Sequence, residues 1–390
     1  MKTSQKVKLG DMCSIRTGKL DSNAAVEGGK YPFFTCAQET YSIDKYAFDT
    51  EAVLLGGNNA NGIFPLKYYQ GKFNAYQRTY IIESNDRSKL SNKFIYFSLR
   101  PVLEYLKSAS IGAATQYLTK PVLDNLKISL PDIDTQRNII DIIYAYDELI
   151  YANCARIQLL EESARLLFRE WFVYLKFPHS TSSGQANHEK VKIVDGIPEG
   201  WERAKVKDFG MIVTGKTPST KVVNNFNGDI PFIKTPDMHR SLIIINSEES
   251  LSESGADSQK NKYLPPWSVL VSCIGTVGVV ALNLFKSQTN QQINSIIPKK
   301  NIYRYYCFFF LSRLKPILEA IGGGATMANV NKYKFENLDV IIPPDTLLER
   351  FDKLVDLIFK QIAFLVQQNE KLTYARDLLL PRLMSGAIEV

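Results

Sequence analysis

The 390-residue sequence predicts an α/β (α+β) chain in which two similar globular domains are separated by a pair of long antiparallel coiled-coil helices, with an internal pseudo-two-fold repeat. Three observations carry this. Two apolar seams of equal length run at helical spacing, one mid-chain and one near the end. The stretches before them repeat each other. Those stretches are rich in Val, Ile, Tyr and Phe and are cut at short intervals by Gly, Pro and Asn, which favours short strands.

The first seam is Ile139, Ile143, Tyr146, Ile150, Asn153, Ile157, Leu160, Ala164, Leu167 and Trp171, in alternating steps of 4 and 3. That is a heptad a/d pattern sustained over about five heptads. The second is Phe351, Val355, Ile358, Ile362, Leu365, Asn369, Leu372, Arg376, Leu379 and Leu383, with Asn369 and Arg376 as its polar members. Two amphipathic helices in an ordinary core would show the same period, but matched length within one chain favours mutual pairing. In an antiparallel pair the partners' numbers sum to a constant. A sum of 522 sets Ile139 against Leu383, Ile157 against Leu365, and Asn153 against Asn369. Facing Asn side chains satisfy each other and fix register at some cost in stability. Each seam predicts a rod roughly 50 Å long at 1.5 Å per residue.

The repeat is specific. Lys6-Val7-Lys8 and Thr17-Gly18-Lys19 recur as Lys205-Val206-Lys207 and Thr214-Gly215-Lys216. Tyr31-Pro32-Phe33 recurs as Ile230-Pro231-Phe232, and Val53-Leu54-Leu55 as Val269-Leu270-Val271. Gln77 and Ile81-Ile82 align with Gln292 and Ile296-Ile297, Pro101 to Glu104 with Pro316 to Glu319, and Ala114-Thr115 with Ala325-Thr326. The offset drifts only from about 197 to 216, so the copies differ by loop insertions. One helix per domain is expected, about Asn92–Ser108 and about Tyr303–Ala320, opened by Pro101 and Pro316. Asp134 and Asp345 are expected N-caps of the seam helices, Pro178 the stop of the first, and Gly386 the cap of the last. Ser180 to Glu189 has linker composition. The resulting boundaries are 1–133, 134–177, 178–195, 196–344 and 345–390.

Composition is that of an ordinary globular chain, 45% apolar and 22% charged, and the net charge of +7 permits a nucleic-acid partner without requiring one. Five Cys without C-x-x-C spacing argue against a disulfide framework or zinc knuckle and for buried thiols. Neither a signal peptide nor an 18-residue apolar run is visible, so a soluble, cytoplasmic protein without a membrane partner is expected.

Gly210 to Thr217 matches the G-x-x-x-x-G-K-[ST] phosphate-loop pattern. Its interior, Met211-Ile212-Val213, has strand character, and no amphipathic helix follows Pro218, so a strand running into a basic turn is the better account. The first copy keeps Thr17-Gly18-Lys19 but lacks the upstream Gly. Gly322-Gly323-Gly324 corresponds to Gly112-Ala113-Ala114, so small size rather than phosphate binding is what those positions share. No dinucleotide fingerprint, H-E-x-x-H or His–Cys cluster is present, and no catalytic or metal-binding residue is assigned. What remains is loop chemistry of the kind that contacts base edges and phosphates. The candidates are Thr17, Lys19, Asn58, Asn59, Asn61, Gln77 and Arg78 in the first domain. In the second they are Thr214, Lys216, Lys234, Thr235, Asp237, His239, Arg240, Ser272, Thr276, Gln291 and Gln292.

Over essentially its whole length the chain resembles the specificity (S) subunits of Type I restriction–modification systems. The residues carrying the resemblance are Gly196-Ile-Pro-Glu-Gly-Trp201, Thr214-Gly-Lys-Thr-Pro-Ser219, Gly228 through Thr235, Val269 through Gly278, Asn290-Gln-Gln292, Pro343-Pro344 and Leu380 through Gly386. The first copy departs from the pattern, with one Pro in Leu130-Pro131-Asp132 and no Gly-Thr-Val-Gly form in Gly56 to Gly62. The resemblance implies two target-recognition domains, each reading half of a split site on double-stranded DNA, and spacer helices that set the gap. It implies two adenine methyltransferase (M) subunits as partners, and leaves open whether ATP-driven restriction/translocase (R) subunits join. This chain would bind no cofactor itself; S-adenosylmethionine, ATP and Mg would sit on the partners. Tyr144, Phe172 and Phe364 would be outer rod positions available for subunit contacts. The rival reading is a coiled-coil scaffold with two peptide- or protein-binding domains. A P-loop ATPase or self-contained methyltransferase fits less well, because the phosphate loop is unusable and no N-P-P-Y-type motif is present.

Overall fold

In the computed structural model, residues 5–59, 62–110, 116–178, 191–323 and 328–390 are described. The chain forms two compact units, residues 1–150 with 371–390, and residues 151–370. Each contains a globular domain and part of both long helices, Ile133–Phe172 and Asp345–Ser385. Every residue of both seams is buried or half-buried.

The first unit holds a six-stranded sheet in the order Cys13–Thr17, Thr79–Ser84, Phe48–Gly56, Leu66–Ala75, Tyr31–Phe34, Tyr41–Ile43. Neighbours are antiparallel except Tyr31–Phe34 against Leu66–Ala75. Strand alternation sorts the side chains. Val53, Leu55 and Ile82 face Phe94, Ile95, Ile139, Ile143 and Leu383, while Ala52, Leu54 and Ile81 join Phe34 and Phe73 on the other side. Ser91 caps the domain helix by accepting the Phe94 N–H at 3.1 Å. That helix gives way to a 3-10 turn at Arg100–Val102 and resumes at Leu103–Ser108, the opening expected at Pro101.

The second unit repeats this plan with one break. The strand equivalent to Leu66–Ala75 is split into Val280–Asn283 and Gln288–Thr289. Buried Asn283 stabilises the interruption, donating to Pro265 O, Phe285 O and Ser287 Oγ. The result is a five-stranded sheet ending on Ile243–Ile244 and a separate three-stranded sheet of Glu249–Leu251, Phe226–Ile233 and Gln288–Thr289. The terminal pairings match between copies, Val7 opposite Ile128 and Ala204 opposite Val340, so Val7 corresponds to Ala204 and the sequence pairing of Val7 with Val206 is corrected by two residues.

The long helices run antiparallel. In the second unit, Asn153 Nδ2 donates to Asn369 Oδ1 at 2.9 Å and Trp171 packs on Phe351 with ring centroids 5.9 Å apart. In the first unit, the seam's charged member Arg376 meets Asp147 at 2.5 Å, and Arg100 of the domain reaches the same carboxylate at 3.1 Å. The second unit has its own clamp, Arg304 to Asp352 at 3.2 Å and to Asp356 at 2.6 Å.

Several expectations are corrected. The first long helix is capped by Asp132, which accepts the Thr135 N–H at 2.8 Å; Asp134 lies inside the first turn, bonded to Arg137. Asp345 is likewise the first helical residue, and its carboxylate takes Lys300 and Tyr303 rather than the helix N–H groups. The first helix ends at Phe172, six residues before Pro178, because Leu175 turns left-handed at φ 58° and the Tyr174 and Lys176 N–H groups close on Arg169 and Glu170. Phe172 is buried against Trp201, Tyr306 and Phe351 and is no outer position; Tyr144 and Phe364 are exposed. Of the thiols, Cys154 is exposed and Cys36 only half-buried. Ile193–Val194, placed in the linker, forms a hairpin with Ile197–Pro198 through Asp195 and Gly196, both at positive φ. Ser180 to Glu189 lies outside the described residues, as do Gly112 to Thr115 and Gly324 to Thr326.

Candidate nucleic-acid interface

At one edge of each domain's main sheet three or four loops meet, and the same backbone bonds hold them in both copies. Gly18 N–H donates to Thr79 O at 3.3 Å; Gly215 N–H donates to Ile293 O at 3.1 Å. Gly57 N–H donates to Arg78 O and Cys273 N–H to Gln292 O, each at 2.7 Å. Leu118 N–H donates to Gly57 O at 2.9 Å and Val330 N–H to Cys273 O at 2.8 Å. Strand register agrees, with Val53 opposite Ile82 and Val269 opposite Ile296. The structure therefore shifts the sequence alignment by one residue here: Gln77 corresponds to Gln291, and Arg78 to Gln292.

The recurring Thr-Gly-Lys has a steric cause. A Cβ on Gly18 would lie 1.9 Å from Ala75 O, and one on Gly215 would lie 2.1 Å from Asn290 O. Glycine lets this loop lie directly on the neighbouring backbone. Gly210–Thr214 is a strand paired to Ile293–Pro298, so the phosphate-loop pattern is met by a strand and a packed turn, with no helix N-terminus behind it.

In the first copy Lys19, Gln77 and Arg78 are exposed, Thr17 is exposed at its strand end, and Asn58 and Asn59 pair with Tyr117 and Gln116. Asn58 Oδ1 and Gln116 Oε1 are buried without a hydrogen-bond partner among the described residues. Asn61 lies outside the described residues. Sequence reasoning missed Tyr117, whose ring lies under the Arg78 guanidinium at 5.0 Å. An aromatic just past the small-residue stretch Gly112 to Ala114 was the only available signal.

In the second copy Lys216, Thr276 and Gln291 are exposed, and Gln292 is half-buried. Thr217, not among the candidates, donates to Gln291 Oε1 at 2.8 Å, and Asn290 Nδ2 donates to Gln292 Oε1 at 3.1 Å. Thr214 is committed inward, donating to Asn294 Oδ1 at 2.6 Å, and Thr235 is buried 3.5 Å from Gln292 Oε1. Two candidates are structural. Asp237 is buried and accepts the N–H groups of Lys234 and Glu248; Ser272 is buried and accepts the Val279 N–H at 2.9 Å. His239 and Arg240 are exposed, but Arg240 pairs with Glu248 at 3.2 Å and Lys234 with Glu249. Their charge is partly neutralised before any ligand arrives.

Burial pushes the Cys273 thiol up to about 11 against lowering hydrogen bonds from Asn294, and burial also raises Cys36. Such thiols are poor nucleophiles. Among the described residues no group of three or more His, Cys, Asp or Glu could hold a metal, and no helix is long and apolar enough to cross a membrane.

Residues 1–162 and 198–372 match the family described as the Type I restriction modification DNA specificity domain, once in each copy. The chain belongs to this family. The HindI Type I restriction enzyme specificity subunit of Haemophilus influenzae is 32% identical over 366 residues, covering 79% of this chain and 80% of that protein. The MjaIX specificity subunit of Methanocaldococcus jannaschii is 27% identical over 77% of this chain and 69% of its own length. The fold of this specificity subunit is also that of a solved structure, the Type I restriction–modification S subunit from M. genitalium (TM-score 0.64, 15% identity, 97% and 96% coverage). Its role is sequence-specific DNA recognition in a Type I restriction–modification system.

Proposed function

We propose that this specificity subunit reads a bipartite duplex target, one half-site per recognition edge, and directs adenine methylation by two M subunits. The observation that carries the proposal is the matched scaffold. The same backbone bonds present Lys19, Gln77 and Arg78 in one copy and Lys216, Gln291 and Gln292 in the other. One frame with two side-chain sets is what reading two different half-sites requires. Candidate contacts are these residues with Thr17, Asn58, Asn59 and Thr276; Lys234, His239 and Arg240 are peripheral. The paired helices fix the gap between half-sites, with Asn153 and Asn369 setting their register. Methyl transfer belongs to the M partners and any restriction to R subunits, and these partners would carry S-adenosylmethionine, ATP and Mg. The chain itself is non-catalytic and works in the cytoplasm.

The test is a genome-wide adenine-methylation map in cells expressing this chain with its neighbouring methyltransferase, with and without this gene. A new motif in two short halves separated by a fixed unspecified run is expected. Unchanged methylation from an assembled, active complex would overturn the proposal in favour of the coiled-coil scaffold.

A further inference from the structure

The recognition edge of the first copy contains a feature that the second lacks. Four arginines lie within residues 5–130, and three are bound to carboxylates: Arg16 to Glu83, Arg87 to Glu51 and Arg100 to Asp147. Arg78 meets no carboxylate among the described residues. Its guanidinium lies instead over the ring of Tyr117, 5.0 Å from the centroid. Both ends of this stack are fixed from behind. The Arg78 carbonyl accepts the Gly57 N–H at 2.7 Å, and Thr79 N–H closes the turn onto Tyr76 O at 2.8 Å. Tyr117 is paired to Asn58, and the next residue is held twice, by Leu118 N–H to Gly57 O at 2.9 Å and by Tyr80 OH to Leu118 O at 2.8 Å.

A guanidinium resting on an aromatic face keeps its plane and its outward N–H donors while losing side-chain freedom. That is the state needed to engage guanine O6 and N7 together, the commonest specific arginine contact in the major groove. Equivalent backbone bonds identify the counterparts. Gly57 N–H to Arg78 O corresponds to Cys273 N–H to Gln292 O, and the Asn58–Tyr117 pair corresponds to the Ile274–Asn329 bridge. The second copy thus has Gln292 and Asn329 where the first has Arg78 and Tyr117.

We infer that Arg78 reads a guanine in the half-site recognised by the first copy, and that Tyr117 is the positioning residue that holds it flat. The inference rests on the bipartite-recognition reading above.

The test uses the full chain in its complex with the methyltransferase. Once the wild-type motif is mapped, methylation rates are measured on duplexes with each base of both half-sites substituted in turn. For R78A and R78K, discrimination at one guanine should fall from about 10–100-fold to under about 3-fold, with the other half-site unchanged. Y117A should erode the same column, Y117F should preserve it, and the salt dependence of both should stay that of wild type, because no phosphate contact is lost. Uniformly weaker methylation across every column in R78A, with a shallower salt slope, would make Arg78 a phosphate contact and overturn the inference. So would an unchanged motif in R78A. Failure of the wild-type complex to show any bipartite motif would overturn the parent reading and this inference together.

Discussion

Asn153 Nδ2 donates to Asn369 Oδ1 at 2.9 Å across the helix pair, and the same nitrogen reaches Gln368 Oε1 at 3.0 Å. Asn153 is 1% exposed, so its amide depends on these partners. N153L should cost about 1–3 kcal/mol, because the Asn369 amide is left facing a hydrocarbon. The double variant N153L/N369L should recover most of that loss, since the two facing positions are then both apolar and half-buried Gln368 can turn its amide to solvent. Chemical denaturation measures both. A double variant as unstable as the single would show that the pair is not the issue.

Asp147 joins three segments, accepting Arg100 of the domain and Arg376 of the second long helix, whose side chains are 20% and 14% exposed. D147N should destabilise by about 1–3 kcal/mol, between the values for exposed and fully buried pairs. The loss should persist in 1 M salt, where an exposed pair would be screened away.

The close approach at Gly18 and Gly215 gives a prediction about chemistry as well as stability. G215A should destabilise by about 1–3 kcal/mol through forced displacement of the Asn290 backbone, and G18A likewise at Ala75. K216A should melt like wild type, and millimolar ATP should leave the melting temperature of the chain unmoved, because Gly210 to Thr214 is a strand leading into a packed turn rather than a phosphate cradle. An ATP-dependent rise abolished by K216A would restore the nucleotide-binding alternative.

The Lys300 ammonium bonded to Asp345 holds that carboxyl below its usual range, and the same bond raises Lys300. The stabilisation is present above the ordinary Asp value of about 3.9 and is lost as pH falls through the lower folded value. For Lys300 it is present below about 10.4 and is lost as pH rises through the higher folded value. Both groups are open to solvent, so the effect is small. The stability difference between wild type and D345N should therefore be constant near neutrality and shrink at both acid and alkaline extremes. A difference independent of pH would locate the effect of Asp345 elsewhere.

The sequence alone determined the repeat, the two seams, their antiparallel register through Asn153 and Asn369, and the strand identity of Met211 to Val213. These are periodic or pairwise signals, written along the chain and independent of what packs nearby. Helix ends were less legible, because Asp132 and Asp134 are equally good caps in one dimension and only the actual first turn distinguishes them. Phe172 looked like a surface aromatic until Trp201 and Phe351, distant in sequence, closed over it. Burial of candidate site residues was likewise a tertiary decision. Asp237 and Ser272 are polar loop residues like their neighbours, but the fold turns them inward to satisfy backbone N–H groups that would otherwise be orphaned. The one-residue alignment shift, and with it the pairing of Arg78 with Tyr117, came only from hydrogen-bond register, because it is the backbone of another strand that fixes which residue reaches the edge.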